Sequence, residues 1–222
     1  MCTLILYHRP GHDWPLLLAT NRDEMTDRQW HPPARHWPGQ PDVVAGMDRV
    51  AGGSWLGLND QGVVAAVMKR RGTLGTQAGK RSRGELVLRA LAYDSSTAAT
   101  GALAELNPAM YRSFNLVVAD RLKAFWVCHR GNEQPDSIEV HALPAGLTML
   151  TNGDPDDMRM PRIQSYLPRF QDLPAPDPEA AGGGSAWTAL LRSRSPAAGT
   201  ESAMNVVTDR GYGTVSSSLL AL

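Results

Sequence analysis

The sequence has few of the features that mark specialised classes of protein. Its 222 residues include only two cysteines, too few for a disulfide scaffold and without the paired spacing of zinc or redox motifs. Lysine plus arginine number 22, as do aspartate plus glutamate, so no net charge would draw the chain to nucleic acid. The composition therefore favours an ordinary globular protein, with a reduced, cytoplasmic setting as the simplest interpretation.

Long apolar runs are also absent. No segment approaches the roughly 18 consecutive apolar residues of a membrane span, and the run Leu4-Ile5-Leu6 has only the length of a strand. No basic segment followed by a long apolar stretch opens the chain, so we expect no secretory signal. We expect residues 1–222 to form a single domain, since a chain of that length can bury a sizeable core.

One positively charged cluster stands out in this balanced sequence. It runs from Lys69 to Arg83 and carries no interleaved aromatic residues of the kind that stack on bases. We interpret it as a solvated loop that could attract an anionic substrate, and not as a nucleic-acid surface.

The alternation of apolar runs with turn residues predicts the order of the elements. Nearly continuous apolar runs predict strands buried on both faces, and Ser82 with Glu85 predicts a capping box at the start of a helix. The proline-rich stretch 25–46 is expected to be a long ordered loop. The predicted strands cover 2–8, 15–20, 54–58, 62–68, 114–119, 124–128, 137–143, 147–151 and 214–222, and the predicted helices cover 82–94, 95–106, 161–173 (kinked or ended by Pro168) and 187–194. This order favours an α+β protein in which helices cover the outer faces of two sheets.

The start of the chain carries the strongest candidate for chemistry. If Met1 is removed before the small residue Cys2, a thiol and a free α-amino group stand on one residue. An α-amine has an ordinary pKa of about 7.7–8.0, so it can take the thiol proton directly or through water. Pairing a nucleophile with an N-terminal amine is a known route of activation. On this residue alone, an inert buried cysteine stays open as the alternative.

A polar tetrad, Asn21-Arg22-Asp23-Glu24, ends the second predicted strand. A hairpin would bring it beside residue 2, where an arginine could hold the thiolate and lower its pKa while an aspartate anchors the α-ammonium group. The alternative is a solvated turn in which Arg22 pairs with Glu24.

A glycine-tryptophan motif occupies residues 52–59. Gly52 and Gly53 suit a tight turn or a close backbone approach, and Trp55 suits a core or pocket wall. Asn59, like Asn152 later in the chain, follows a predicted strand and fits either a turn or a site donor.

Together, Met1-Cys2, the tetrad and the 52–59 motif resemble the NRDE family, which includes the Transport and Golgi organisation 2 proteins. The resemblance extends to about residue 218 through three later motifs: Phe114-Asn115-Leu116, Leu150-Thr151-Asn152 and Tyr212-Gly213-Thr214. The family is similar to N-terminal-nucleophile hydrolases of the penicillin V acylase and bile-salt hydrolase branch. This resemblance implies a four-layer αββα sandwich of two antiparallel sheets with the N-terminal strand central.

The resemblance also implies roles for particular residues. Cys2 matches the nucleophile of that branch, and Arg22 and Asp23 match its arginine and aspartate. Asn59 and Asn152 resemble two asparagines that suit an oxyanion hole, because a neutral amide can stabilise developing negative charge. The family usually carries an arginine after Gly-Thr, where this chain has Val215. The residues expected to contact substrate are Asn21, Glu24, Trp55 and Asn115.

Two functions remain open from the sequence. One is a cysteine hydrolase acting on a small amide or acyl substrate through a C–N or thioester bond. The other is a non-catalytic protein that binds or traffics haem or an acylated ligand in the same pocket, since some relatives are implicated in haem handling and acyl-thioester metabolism. Val215 favours the second function slightly, and the Met1-Cys2 start favours the first.

No metal site and no resident cofactor are expected, and haem enters only as a possible ligand. The six histidines show no metal-site spacing, and Cys128-His129 lacks the second cysteine of a haem-attachment motif. We expect these histidines to be loop and surface residues.

Overall fold

The computed structural model describes residues 2–73, 75–131, 137–182, 184–194 and 202–222. In chain order its elements are β1 (Thr3–His8), β2 (Leu16–Met25), β3 (Trp30–Ala34), β4 (Val43–Asp48), β5 (Leu56–Asn59), β6 (Val64–Lys69), α1 (Gly84–Ala90), α2 (Ser96–Ala104), β7 (Phe114–Ala119), β8 (Ala124–His129), β9 (Glu139–Ala142), β10 (Gly146–Leu150), α3 (Pro161–Gln171), α4 (Ser185–Leu191) and β11 (Tyr212–Ala221). They fall into two compact units, one of the chain up to Asp27 with Ala145–Leu222, and one of Arg28–Pro144. The assignment of residues 1–222 to one domain stays a prediction.

The first unit is built on a four-stranded antiparallel sheet of order β10-β1-β2-β11. The N-terminal strand is central, as the sequence predicted. Helix α3 presents Ile163, Tyr166 and Phe170 at helical spacing to the sheet, where they pack with Ile5 and other buried residues. Pro168 lies inside α3, which continues to Gln171. Of the two predicted effects of this proline, ending the helix is therefore wrong, and kinking it stays a prediction.

The second unit is a seven-stranded antiparallel sheet of order β3-β4-β5-β6-β7-β8-β9. Helices α1 and α2 contribute buried residues to a core shared with β4, β6 and β7. Leu86 and Val87 of α1 are fully buried there, together with Leu116 of β7. Strands β6, β7 and β8 carry the long apolar runs of the sequence, and their central position explains why both faces are apolar.

Two predicted elements of this unit are corrected by the structure. The stretch 25–46 is not one long loop, because it contains β3 and β4. Pro32 and Pro33 are tolerated in β3 because that strand lies at the edge of the sheet. The helix predicted for 82–94 spans only Gly84–Ala90, and no capping box forms, since the Glu85 carboxylate accepts from Arg81, Arg89 and Tyr111 instead.

The glycine-tryptophan motif has the tight backbone geometry that its sequence predicted. Gly52 has a φ of +71°, and an added Cβ at Gly53 would lie 2.5 Å from the carbonyl carbon of Gly84. Because backbone cannot move aside easily, we expect Gly53→Ala to lower the free energy of unfolding by about 1–3 kcal/mol. Gly39→Ala is the matched control, since its Cβ would meet nothing within 4 Å. Equal urea midpoints for the two variants would contradict this expectation.

Tyr111 is expected to make the stability of the second unit fall as the pH becomes alkaline. Its hydroxyl donates to Glu85, and burial together with this hydrogen bond raises the pKa of Tyr111 to about 12. A raised pKa in the folded state contributes stability below the ordinary pKa of about 10, and that stability is lost as pH rises toward 12. We therefore expect the stability difference between the wild type and Tyr111→Phe to narrow from pH 8 to pH 11 in urea titrations. A constant or widening difference would show that Tyr111 does not carry this effect.

Candidate functional site

Three predicted site residues come level with one another at one end of the first unit's sheet. The ladder of β1 and β2 pairs Thr3 with Asn21, so Cys2, one residue earlier, comes level with Arg22. The ladder of β1 and β10 ends at the pair of Leu4 with Leu150, and extending its register by two residues brings Cys2 level with Asn152. The antiparallel registers thus place an arginine and an asparagine on the two sides of the thiol-bearing residue.

Strand β11 adds a fourth residue to this row, because Ser216 pairs with Arg22. Side chains alternate between the faces of a sheet, so paired residues share a face. Asn21 and its partner Ser217 hydrogen-bond to each other on the face that carries α4. Arg22 and Ser216 therefore occupy the opposite face. We call Asn152, Cys2, Arg22 and Ser216 the nucleophile row.

Two members of the nucleophile row have polar atoms that lack a hydrogen-bond partner among the residues that the structure describes. The Asn152 amide makes no hydrogen bond with the described residues, and its Oδ1 is shielded from solvent. The Ser216 hydroxyl is likewise buried with no partner among those residues. Arg22 is 5% exposed. Buried polar groups without partners are rare in folded proteins and are frequent at binding and catalytic sites.

Asp23 lies on the other face of β2, where it is held by two residues. Its Oδ2 accepts from Arg162 Nη1 at 3.1 Å and its Oδ1 accepts from the Thr214 hydroxyl at 2.6 Å. Arg162 comes from α3, is fully buried and also donates to the Thr3 hydroxyl at 2.7 Å. Asp23 and Arg162 thus form a buried ion pair that fixes the end of β2 against α3.

A β-bulge at Val215 interrupts the pairing of β11 with β2 directly after Thr214. The pairing of β11 with β2 shifts between Thr214 and Ser216, leaving Val215 as the extra residue. If the register of Thr214 with Asp23 continued, Val215 would pair with Arg22; the bulge puts Ser216 there instead. The bulge occurs at the position where the resemblance implies an arginine, and the Asp23 carboxylate is bound by the guanidinium of Arg162.

The main-chain carbonyl of Asp23 is a meeting point for two side chains. The Cys2 sulfur lies 3.6 Å from this oxygen, and the Tyr212 hydroxyl lies 3.4 Å from it. Burial, followed by the nearby Cys2, Asp23 and Glu24, raises the pKa of Tyr212 above its ordinary value. Tyr212 therefore stays protonated at neutral pH and remains a hydrogen-bond donor beside the thiol.

The outer residues of the tetrad differ in their contacts. Asn21 is fully buried; its amide donates to the carbonyls of Leu191 and Met204, and its oxygen accepts from Ser217. These bonds tie β2 to α4 and use the whole side chain. Glu24 is partly buried at the end of β2 and accepts from the Met25 amide at 3.1 Å. Substrate contact by Asn21 or Glu24 stays a prediction.

Three other predicted residues belong to the second unit. Asn59 donates both amide hydrogens to the carbonyls of Leu91 and Tyr93 and accepts from Val63 N, so it would have to break one bond to serve an oxyanion. Trp55 contacts Trp30 edge-to-face at 5.6 Å and covers Gly46. The Asn115 oxygen accepts from Arg70 and Trp126. Their assignment to the site stays a prediction.

Sequence reasoning missed four residues around Cys2. Tyr212 and Thr214 lie in a motif that was noted only for the family resemblance, and Ser216 follows it directly. Arg162 gave no signal, since it lies 139 residues from Asp23 in an ordinary helical segment. The histidine prediction also needs correction, because His8 and His129 are only 3% and 4% exposed.

The sequence of the chain is similar to known proteins. The family model for Transport and Golgi organisation 2 matches residues 1–222. A human Transport and Golgi organization protein 2 homolog is 34% identical over 140 residues, which is 60% of this chain and 50% of the relative. The chain therefore matches about half the length of that curated relative. No helix within the described ranges is long and apolar enough to cross a membrane.

Two solved structures share the fold. A Caenorhabditis elegans ortholog of N-acylethanolamine-hydrolyzing acid amidase aligns with a TM-score of 0.61 and 15% identity, covering 99% of this chain and 92% of that one. Penicillin V acylase from Agrobacterium tumefaciens aligns with a TM-score of 0.53 and 15% identity, covering 99% of this chain and 79% of that one. The predicted α+β fold of the N-terminal-nucleophile hydrolases, with two antiparallel sheets, is confirmed.

Proposed function

The chain belongs to the Transport and Golgi organisation 2 family, and from this premise we propose that it is a cysteine N-terminal-nucleophile hydrolase of small amide or thioester substrates. The observation that supports the proposal is the nucleophile row, because the strand registers, extended past their last pairs, bring Cys2 level with Arg22 and Asn152. A reactive thiol, a cation and an uncommitted amide at one end of a sheet supply a nucleophile, a charge partner and an oxyanion donor.

Before any reaction, Met1 is removed, which leaves the free α-amine on Cys2. That amine takes the thiol proton, and the thiolate sulfur attacks the substrate carbonyl carbon while the carbonyl π electrons move onto oxygen. The tetrahedral intermediate collapses, the C–N or C–S bond breaks, and the ammonium proton passes to the departing amine or thiol. Water then attacks the acyl carbonyl carbon while the amine takes one of its protons. The bond between this carbon and the Cys2 sulfur breaks, the sulfur takes that proton from the ammonium group, and the acid is released.

Asn152 is the better placed of the two predicted oxyanion donors. Its amide hydrogens are not committed to the described residues, whereas those of Asn59 both bond to carbonyls. Because removal of one oxyanion donor costs about 10²–10³ in kcat, we expect Asn152→Ala to lower kcat by that factor with little change in stability. Asn59→Ala is expected to lower the melting temperature instead. A reversed pattern for the two asparagines would contradict this assignment.

The names of the structural neighbours support an acyl amide as the first substrate to test. One is an acid amidase and the other an acylase. The thioester alternative has the same reacting carbonyl and a better leaving group. We also propose that the protein is cytoplasmic, where both kinds of substrate would be available.

A panel of fluorogenic acyl amides and acyl thioesters, assayed with the untagged protein, tests the proposal. Intact mass should show loss of Met1, and Cys2→Ala should abolish turnover while far-UV circular dichroism is unchanged. Cys128→Ala is the matched control, since it removes the other cysteine, and it should keep full activity. Full activity of Cys2→Ala would overturn the proposal. Retained Met1, an unreactive thiol and saturable binding of haem or acyl ligands would favour the carrier function instead.

A further inference from the structure

A second cluster of reactive side chains lies in the other unit, on strands β8 and β9. We propose that Cys128, Glu139 and His141 bind a divalent transition-metal ion of the zinc class. The cysteine sulfur, a carboxylate oxygen and an imidazole nitrogen all lie within 4.8 Å of one another. Zinc takes these three donor types, and tetrahedral bonds of ordinary length separate its ligand atoms by about 3.4 Å. Side-chain rotations that shorten the distances by about 1.4 Å or less would complete the site.

The register of the sheet explains why these residues meet. Cys128 pairs with Glu139, and Trp126 pairs with His141, so all four share one face of the sheet. Twelve residues separate Cys128 from His141, but neither residue has the second cysteine or histidine that completes a zinc-finger motif. A search by motif therefore does not find the cluster.

The imidazole is held in place by its neighbours. His141 stacks on Trp126 with ring centroids 4.9 Å apart and planes at 27°. The Trp126 indole is fixed in turn by a 3.1 Å hydrogen bond to Asn115. His141 Nε2 lies 3.0 Å from Glu139 Oε2, so the two atoms that would share an ion already face each other.

Arg130 holds the carboxylate from its other side. Its Nε lies 3.2 Å from Glu139 Oε1 and 3.4 Å from Oε2. A partner that binds one carboxylate oxygen orients the other toward a metal. The guanidinium charge also repels a dication, so we expect weaker binding than at a site of several thiolates.

Access to the cluster is from the carboxylate and imidazole side. The side chains of Glu139 and His141 are 27% and 46% exposed, whereas Cys128 is fully buried. An ion would therefore meet the oxygen and nitrogen first and the sulfur last. Three protein ligands leave the fourth tetrahedral position to water.

Cobalt(II) titration of the full chain tests the site, because thiolate-bound cobalt has a charge-transfer absorption near the ultraviolet. We expect a band that saturates at one ion per chain, with quenching of tryptophan fluorescence from Trp126 and displacement by zinc. Cys128→Ala should remove the band. Glu139→Gln and His141→Ala, which change more exposed positions and spare the fold, should weaken binding at least about 10-fold.

Cys2→Ala is the matched control, because it removes the only other thiol and should leave the cobalt band intact. Loss of the band in Cys2→Ala, its persistence in Cys128→Ala, or the absence of any thiolate–cobalt band in the wild type would each overturn the proposal. Circular dichroism of each variant before titration separates ligand loss from unfolding.

Discussion

Replacing Arg162 by leucine is expected to lower the free energy of unfolding by about 3–5 kcal/mol. Arg162 and Asp23 are both buried and bonded to each other, and the guanidinium also holds the Thr3 hydroxyl. Removing the cation leaves an uncompensated carboxylate inside the protein, which is far costlier than losing the attraction itself. Urea unfolding followed by far-UV circular dichroism measures the loss.

A matched control and a double variant identify the cause. Arg169 lies on the same helix but is exposed, with its guanidinium over the Tyr166 ring, so Arg169→Leu should cost less than about 1 kcal/mol. Asp23→Asn combined with Arg162→Leu should recover part of the stability, since no buried charge is then left alone. If the double variant is no more stable than Arg162→Leu, the ion pair is not the source of the loss.

Much of the fold could be predicted because the apolar runs that form central strands are unambiguous. Strand β7 was predicted with its observed bounds, Phe114–Ala119, since both of its faces are buried. The edge strand β3 was missed because its two prolines and exposed residues carry no alternation. Helix α1 was predicted too long at both ends, and its capping box does not form because Arg81, Arg89 and Tyr111 bind the Glu85 carboxylate.

Some contacts of the candidate site could likewise be predicted from the sequence, and others could not. Cys2 and Arg22 could be linked from the sequence, because a hairpin brings its two strands together whatever else the chain does. Arg162 could not be linked to Asp23, because their contact depends on how α3 packs against the sheet. Nor could the sequence separate Asn59 from Asn152, since only the three-dimensional hydrogen bonds show which amide is already committed.

Blocking the α-amine of Cys2 is expected to lower the rate of hydrolysis by about 10²–10⁴ without unfolding the protein, since general-base catalysis contributes a factor of that size. One preparation would begin at Cys2, after removal of a cleavable leader. The other would keep two added glycines before Cys2. Under the proposed mechanism the thiol has no base when its amine is part of a peptide bond. The comparison is made as kcat/KM on the best amide or thioester substrate.

Thiol labelling shows whether the amine acts on the sulfur itself. The pH dependence of the labelling rate at Cys2 gives the thiol pKa in each preparation. With the free amine this pKa should lie below the ordinary cysteine value of about 8.5, and with the glycine extension it should equal that value. Arg22 is present in both preparations, so any lowering of the thiol pKa that survives the extension is assigned to this cation. Equal hydrolysis by both preparations would mean that the nucleophile row works without an N-terminal base, and Cys2 would then be activated by its charged neighbour alone.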